Sequence, residues 1–145
     1  MAKRRNAADW TDVLATVPLF ADLPRRHVAR LTKAAKIERL PAYTRIVRAG
    51  ERGDSFCLLL EGHASVKADR RRAVTIGPGD FFGELSLLDG LPRSATVEAQ
   101  EDVLLARIGR KDFLKLVQNE PKVAVSLLKT MAGRLRGAER ATTAH

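Results

Sequence analysis

Short apolar segments that alternate with turn residues fill the middle of the chain, and helical patterns occupy both ends. Regular short segments at this spacing predict an antiparallel sandwich or barrel. The predicted strands cover residues 43–47, 56–60, 64–66, 74–76, 95–99 and 103–108. Between the fourth and fifth of them, residues 84–88 predict a short helix.

The N-terminal pattern predicts two helices. Val13, Leu14 and Val17 have helical spacing, and Pro18 ends that run. The second helix is expected to begin near Pro24, because proline is favoured in a first helical turn. Its apolar stripe consists of Val28, Leu31 and Ala35.

The C-terminal pattern predicts a short helix over residues 112–118 and a longer one after it. Asn119 is the expected N-cap, with Pro121 in the first turn. The long helix carries an apolar stripe at alternating spacings of four and three, as in a coiled-coil seam. This seam stripe consists of Ala124, Leu128, Met131, Leu135 and Ala138. It predicts either core packing or a homodimer contact.

The composition narrows the class of protein. The chain has 145 residues, which favours a single domain over residues 1–145. No segment approaches the roughly 20 apolar residues of a membrane span, and the N-terminus lacks the apolar run of a secretory signal. Cys57 is the only cysteine and the histidines are scattered, so no metal site, cofactor or disulfide is expected. These features predict a cytoplasmic protein without a membrane partner.

The charge points to an anionic partner. The 26 Lys and Arg residues exceed the 17 Asp and Glu residues, which gives a formal net charge of +9. Nucleic acid, an acidic surface or a phosphorylated small molecule fits this charge, and so does a simple solvated surface. The loop over residues 67–72, KADRRR, is the expected tip of a hairpin.

The segment FGELSLLDGLPRSATV, residues 82–97, carries the candidate chemistry. Gly83 precedes the short helix, so the backbone N–H groups of Gly83, Glu84, Leu85 and Ser86 are expected to face an anion. Ten residues later, Arg93 can bind a phosphate with its forked guanidinium, beside the hydroxyl of Ser94. A carboxylate such as Glu84 repels phosphate but accepts hydrogen bonds from a sugar hydroxyl. The combination indicates a ribose phosphate.

This segment closely resembles the phosphate-binding cassette of cyclic-nucleotide-binding domains. Such domains occur in the catabolite activator protein, in the regulatory subunits of cAMP-dependent protein kinase and in cyclic-nucleotide-gated channels. The motifs VPLFADLP, RAGERGDSFCLLLEGHASV and GPGDFFGE extend the resemblance over roughly residues 13–138.

The resemblance implies an α+β fold. It consists of an antiparallel β jelly-roll barrel flanked by N-terminal helices, a short cassette helix and C-terminal lid helices. The expected bounds are about 9–36 for the N-terminal helices, 37–108 for the roll with its cassette at 82–97, and 110–140 for the C-terminal helices.

The resemblance also assigns roles to residues. Arg93 matches the arginine that pairs with the cyclic phosphate, and Glu84 matches the glutamate that binds the ribose 2′-hydroxyl. The expected ligand is a 3′,5′-cyclic nucleotide, cAMP in preference to cGMP. The complete set of expected ligand-binding residues is Phe82, Gly83, Glu84, Leu85, Ser86, Arg93, Ser94, Ala95, Val66 and Ile76.

The resemblance implies a sensor without catalytic activity that acts on a separate effector protein. The lid positions that would meet the base are Ala138 and Glu139, which leaves base preference open, with Thr142 or Thr143 as substitutes. No room remains for a helix-turn-helix domain, so nucleic acid is not the expected partner. The alternative is a basic interaction module on the same fold that binds nucleic acid or an acidic protein without sensing a nucleotide.

Overall fold

The computed structural model describes residues 7–143, and the side chains of residues 10–137. It begins with two helices, α1 (Ala7–Ala15) and α2 (Arg25–Ala34), joined through a 3-10 turn at Pro18–Phe20. Pro24 directly precedes α2, and its carbonyl accepts hydrogen bonds from the first turn of that helix. The two N-terminal helices and the role of proline at the start of α2 agree with the sequence pattern.

Eight antiparallel strands then form two four-stranded sheets. The first sheet has the order β1-β8-β3-β6, and the second sheet has the order β2-β7-β4-β5. The strands are β1 (Lys36–Leu40), β2 (Arg45–Val47), β3 (Ser55–Glu61), β4 (Ala64–Ala68), β5 (Val74–Ile76), β6 (Phe81–Phe82), β7 (Ala95–Ala99) and β8 (Val103–Gly109). A six-residue helix, α3 (Glu84–Asp89), lies between β6 and β7.

The core has two apolar layers, one on each face of the first sheet. Along β3, Phe56 and Leu58 face the helices, whereas Cys57 and Leu59 face the second sheet. This alternation follows from the two-residue period of a strand, and it explains why five consecutive residues of β3 are buried. Phe113 of the C-terminal helices stacks on Phe56 with ring centroids 4.7 Å apart, which fixes those helices against the sheet.

Two C-terminal helices, α4 (Arg110–Asn119) and α5 (Pro121–Thr143), meet at a single residue. Glu120 is not helical, with φ −123° and ψ 88°, and its carbonyl accepts the amides of Val123 and Ala124. Asn119 therefore ends α4, and Glu120 takes the position before α5 that the sequence pattern assigned to Asn119. The Glu120 carboxylate lies 2.5 Å from Nδ1 of His27 on α2.

The packed face of α5 differs from the seam stripe. Val123 and Leu127 are buried and Met131 is partly buried, whereas Leu128 and Leu135 are 63% and 62% exposed. Core packing of the seam stripe is therefore wrong for these two leucines. Apolar residues occur on several sides of this helix, so spacing alone did not identify the side that packs. Contact with a second copy through the stripe stays a prediction.

The fold class expected from the sequence is confirmed: two antiparallel sheets with flanking helices form an α+β domain. β1 and β6 have no counterpart among the strands predicted from the pattern. β1 has a mostly polar sequence, KIERL, and β6 has only two residues, so neither has a clear apolar alternation. Within residues 7–143, no helix is both long and apolar enough to span a membrane.

The position of α5 can be tested by two neighbouring leucines. We expect Leu127→Ala to lower the free energy of unfolding by about 2–5 kcal/mol, because it leaves a cavity at a buried site. Leu128→Ala is the matched control and is expected to change stability by less than about 0.5 kcal/mol. Urea denaturation of both variants measures the difference. Equal losses would show that α5 does not pack by its Leu127 side.

Candidate functional site

A cavity of about 130 Å³ lies between the second sheet and the segment that contains α3. Most of the residues that the sequence assigned to a binding site line this cavity. They are Val66, Phe82, Gly83, Glu84, Leu85, Ser86, Arg93, Ser94 and Ala95. Val47, Val97 and Arg134 line it as well. The wall of the cavity is therefore formed by the segment over residues 82–97 together with one residue each from β2, β4 and α5.

The apolar floor of the cavity is a row of valines across three strands. Val97 of β7 lies opposite Val47 of β2 on one side and opposite Val66 of β4 on the other. Directly opposed residues of antiparallel strands share a face, so all three side chains point inward. Ile76 does not line the cavity, in contrast to the sequence-based expectation. It lies one row away, opposite Ala64, and packs in the layer between the sheets.

Gly83 allows the chain to turn sharply into α3 beside Arg93. Its φ of +91° lies in the left-handed region, which disfavours residues with a Cβ. A Cβ at this position would lie 2.5 Å from Nη1 of Arg93 and 2.8 Å from the carbonyl oxygen of Ser55. The close approach of backbone and guanidinium therefore requires glycine here.

Arg93 places a buried positive charge at the cavity. The residue is 7% exposed, and it donates hydrogen bonds from Nη1 to the carbonyl of Gly83 (3.0 Å) and from Nη2 to the carbonyl of Ser55 (2.9 Å). These bonds use two of the five N–H groups of the guanidinium. None of the carboxylates described by the structure forms an ion pair with Arg93, although buried charges are ordinarily paired. Arg93 is therefore a buried cation whose charge no described carboxylate neutralises at ion-pair distance.

Backbone hydrogen bonds hold Arg93 at its main chain as well. Its N–H donates to the carbonyl of Glu51 (2.8 Å), and its carbonyl accepts from the N–H of Gly50 (2.9 Å). The loop between β2 and β3 thus binds the backbone of Arg93, while the start of β3 binds its side chain. This arrangement fixes the orientation of the guanidinium.

Glu84 pairs with an arginine from the last helix. Nη1 of Arg134 lies 2.7 Å from Oε1 of Glu84, and Nη2 donates to the carbonyl of Phe81 at 2.7 Å. The guanidinium also lies 4.7 Å from the centroid of the Phe81 ring, as in a cation–π contact. Burial raises the pKa of Glu84, and the positive charge of Arg134 opposes part of that rise. Arg134 therefore attaches α5 to the segment that contains α3.

Arg134 is not among the binding residues predicted from the sequence. It lies 50 residues after Glu84 on a helix with several other basic residues, so no local pattern distinguished it. The residues considered for base recognition, Ala138, Glu139, Thr142 and Thr143, have side chains outside the described residues. Among the side chains that the structure describes, no group of three or more His, Cys, Asp or Glu is arranged to hold a metal ion.

The structure is thus a β-barrel domain of two packed sheets, with a buried arginine in the cavity between the second sheet and the segment that contains α3. Residues 37–120 match the family model of the cyclic nucleotide-binding domain. The chain is 39% identical over 130 residues to a cyclic nucleotide-gated potassium channel of Mesorhizobium japonicum, an alignment that covers 90% of this chain and 36% of the channel. It is 42% identical over 106 residues to a cAMP-dependent protein kinase regulatory subunit of Aspergillus fumigatus, covering 72% of this chain and 26% of the subunit.

A solved structure supports the same assignment. A cyclic nucleotide-binding domain from Methylobacillus flagellatus superposes with a TM-score of 0.78 at 26% identity, covering 96% of this chain and 84% of that domain. The chain belongs to the cyclic nucleotide-binding domain family, as its resemblance to the cassette indicated. It spans about a third of the length of the channel, so its resemblance concerns this domain alone.

The raised pKa of Glu84 predicts a pH-dependent stability. The folded protein holds this proton more tightly than the unfolded chain does. The resulting stability is therefore fully present below the ordinary glutamate pKa and is lost as the pH rises through the raised value. We expect Glu84→Gln to gain stability relative to the wild type as the pH rises above about 4, the ordinary range of a glutamate pKa.

Urea denaturation at a series of pH values measures this difference. Glu61→Gln is the control, since Glu61 is an exposed carboxylate paired with Arg39. A constant difference between Glu84→Gln and the wild type across these pH values would contradict the buried environment of Glu84.

Proposed function

We propose that the cavity binds a 3′,5′-cyclic nucleotide and that Arg93 pairs with the cyclic phosphate. The observation that carries this proposal is the buried Arg93 guanidinium, which has free N–H donors and no carboxylate partner among the described side chains. A phosphate supplies the missing negative charge and accepts two parallel hydrogen bonds from an arginine. The residues at the start of α3, Gly83 to Ser86, line the same cavity.

Glu84 is the proposed acceptor for the ribose 2′-hydroxyl. Its side chain is 5% exposed at the cavity wall, and Arg134 occupies Oε1. A carboxylate has about four lone-pair positions, so Glu84 can accept a hydroxyl while it remains paired with Arg134. The valine row supplies an apolar surface for the sugar.

The cavity is large enough for the ribose phosphate of the proposed ligand but not for the whole nucleotide. A volume of about 130 Å³ is small beside the roughly 300–1,000 Å³ of pockets that enclose a whole drug-sized ligand. We assign the cavity to the ribose phosphate and place the base outside it, next to α5 beyond Arg134. We propose that α5 closes over the base: Arg134 couples the helix to Glu84, and the non-helical Glu120 is the proposed pivot.

cAMP is the proposed ligand, because the Aspergillus fumigatus relative is a cAMP-dependent protein kinase regulatory subunit. We propose that residues 1–145 act as one sensor domain without catalytic activity that regulates an effector. The alternative, a basic module for nucleic acid or an acidic protein, is favoured by the net charge of +9. It gives no reason for an unpaired guanidinium inside a cavity.

Removal of Arg93 tests the phosphate contact. We expect Arg93→Ala to weaken cAMP binding by at least about tenfold and up to several hundredfold, because the buried phosphate loses a charge-assisted partner. Arg30→Ala is the control, since Arg30 is an exposed arginine on α2. Calorimetric titration with cAMP and cGMP in parallel gives both the loss and the base preference. Equal affinities of Arg93→Ala and the wild type would exclude this site.

The ribose contact has a test of its own. We expect Glu84→Ala to weaken binding of cAMP about tenfold more than binding of 2′-deoxy-cAMP, because only cAMP has the hydroxyl that Glu84 accepts, whereas loss of the Arg134 pair affects both ligands. The two ligands serve as controls for one another in the same variant. Equal losses of affinity for both ligands would show that Glu84 stabilises the segment over residues 82–97 and does not contact the ribose.

A further inference from the structure

A strongly basic hairpin connects β4 and β5. We call residues 67–72 the basic hairpin; they contain the cationic side chains Lys67, Arg70, Arg71 and Arg72 and one carboxylate, Asp69, which gives a net charge of +3. All of these side chains are exposed. None of the four cationic groups forms an ion pair with a carboxylate whose side chain the structure describes. Their charge is therefore not neutralised locally.

The strand register brings the basic hairpin to the mouth of the cavity. Val66 lies opposite Val97, and both belong to the cavity floor. Two residues further along β4, Ala68 lies opposite Ala95, which also lines the cavity. The chain then leaves the sheet at the end where Arg93 and Ser94 precede β7. The basic hairpin therefore begins directly beside the cavity wall.

Other basic residues near this end of the second sheet have acidic neighbours. Arg48 lies 3.9 Å from Glu51, and Arg52 lies 3.8 Å from Asp54, in the loop that binds the backbone of Arg93. Those pairs contribute little net charge. The four cationic side chains of the basic hairpin, in contrast, have no such partner among the described carboxylates.

The backbone of the basic hairpin does not require an arginine at its tip. Arg70 has a φ of +58°, in the left-handed region that favours glycine or asparagine, and the N–H of Arg71 donates to the carbonyl of Ala68. Asparagine would form this turn at lower conformational cost. The local geometry thus gives no reason for the arginine, whereas its charge does.

We propose that the basic hairpin steers anionic cyclic nucleotides into the cavity and so raises their association rate. This inference rests on the proposed function. Uncompensated charge around a cleft raises the local concentration of an oppositely charged ligand and increases its association rate in a salt-dependent way. The basic hairpin lies outside the cavity, so it acts during approach, whereas Arg93 acts on the bound phosphate. It contains no aromatic side chain on which the bases of a single-stranded nucleic acid could stack.

Stopped-flow association of a fluorescent cAMP analogue tests the inference. The variant Arg70→Asn, Arg71→Gln, Arg72→Gln removes three charges, and the Asn suits the backbone at the tip. The control Arg30→Gln, Lys33→Gln, Lys115→Gln removes three exposed charges from α2 and α4. These helices pack on the face of the first sheet that is turned away from the second sheet and the cavity. A third variant, with lysine at positions 70–72, keeps the charge and changes only the shape of the cationic groups.

We expect the hairpin variant to bind about three- to tenfold more slowly at low salt, with its dissociation rate within about twofold of the wild type. The difference is expected to disappear near 0.5 M salt, where the screening length falls to about 4 Å. The control and the lysine variant are expected to associate at the wild-type rate at each salt concentration.

Each other outcome overturns the inference. Equal association rates for the hairpin variant and the wild type would overturn the steering role and leave the proposed function intact. A change confined to the dissociation rate would make the basic hairpin a direct contact. Loss of retention on heparin or on acidic vesicles with an unchanged association rate would assign the charge to a macromolecule or a membrane surface. Failure of the wild type to bind the analogue would remove the proposed function as well.

Discussion

The guanidinium of Arg93 is held inside the domain by backbone carbonyls rather than by a carboxylate. Gly83 and Ser55 accept its hydrogen bonds, and the loop between β2 and β3 fixes its main chain. Gly83 leaves space for the side chain, since a Cβ there would lie 2.5 Å from Nη1. Carbonyl groups orient the cation but leave its charge largely in place. The cavity, the sharp turn into α3 and the proposed ligand all follow from this arrangement.

A second arginine gives the site a way to communicate with the rest of the domain. Arg134 joins α5 to Glu84 and to the carbonyl of Phe81, next to the cavity. At its other end, α5 begins after the non-helical Glu120, whose carboxylate meets His27 of α2. A ligand that changes the position of the Glu84 segment therefore acts on α5 through one ion pair. The contact between Glu120 and His27 joins the start of α5 to the N-terminal helices.

The sequence predicted the parts of the site that are continuous along the chain. Gly83, Glu84 and Arg93 form a local motif within residues 82–97, and all three line one cavity in the structure. Strand pairing brings Val47 and Val97 to the cavity, and the packing of α5 brings Arg134 there. Neither strand pairing nor helix packing leaves a local pattern in the sequence. The same limit explains the seam stripe, whose periodicity was clear although tertiary packing decided which side of the helix is buried. Ile76 was expected from the resemblance, and the structure places it one row of the sheet away from the cavity lining.

The central claim is that a cyclic nucleotide binds in this cavity with its phosphate on Arg93. A crystal structure of the chain with cAMP tests it most directly. The account expects phosphate oxygens within hydrogen-bond distance of the Arg93 guanidinium and the 2′-hydroxyl at Glu84, above the row of Val47, Val66 and Val97. A nucleotide bound elsewhere, or an Arg93 side chain without contact to the phosphate, would contradict it.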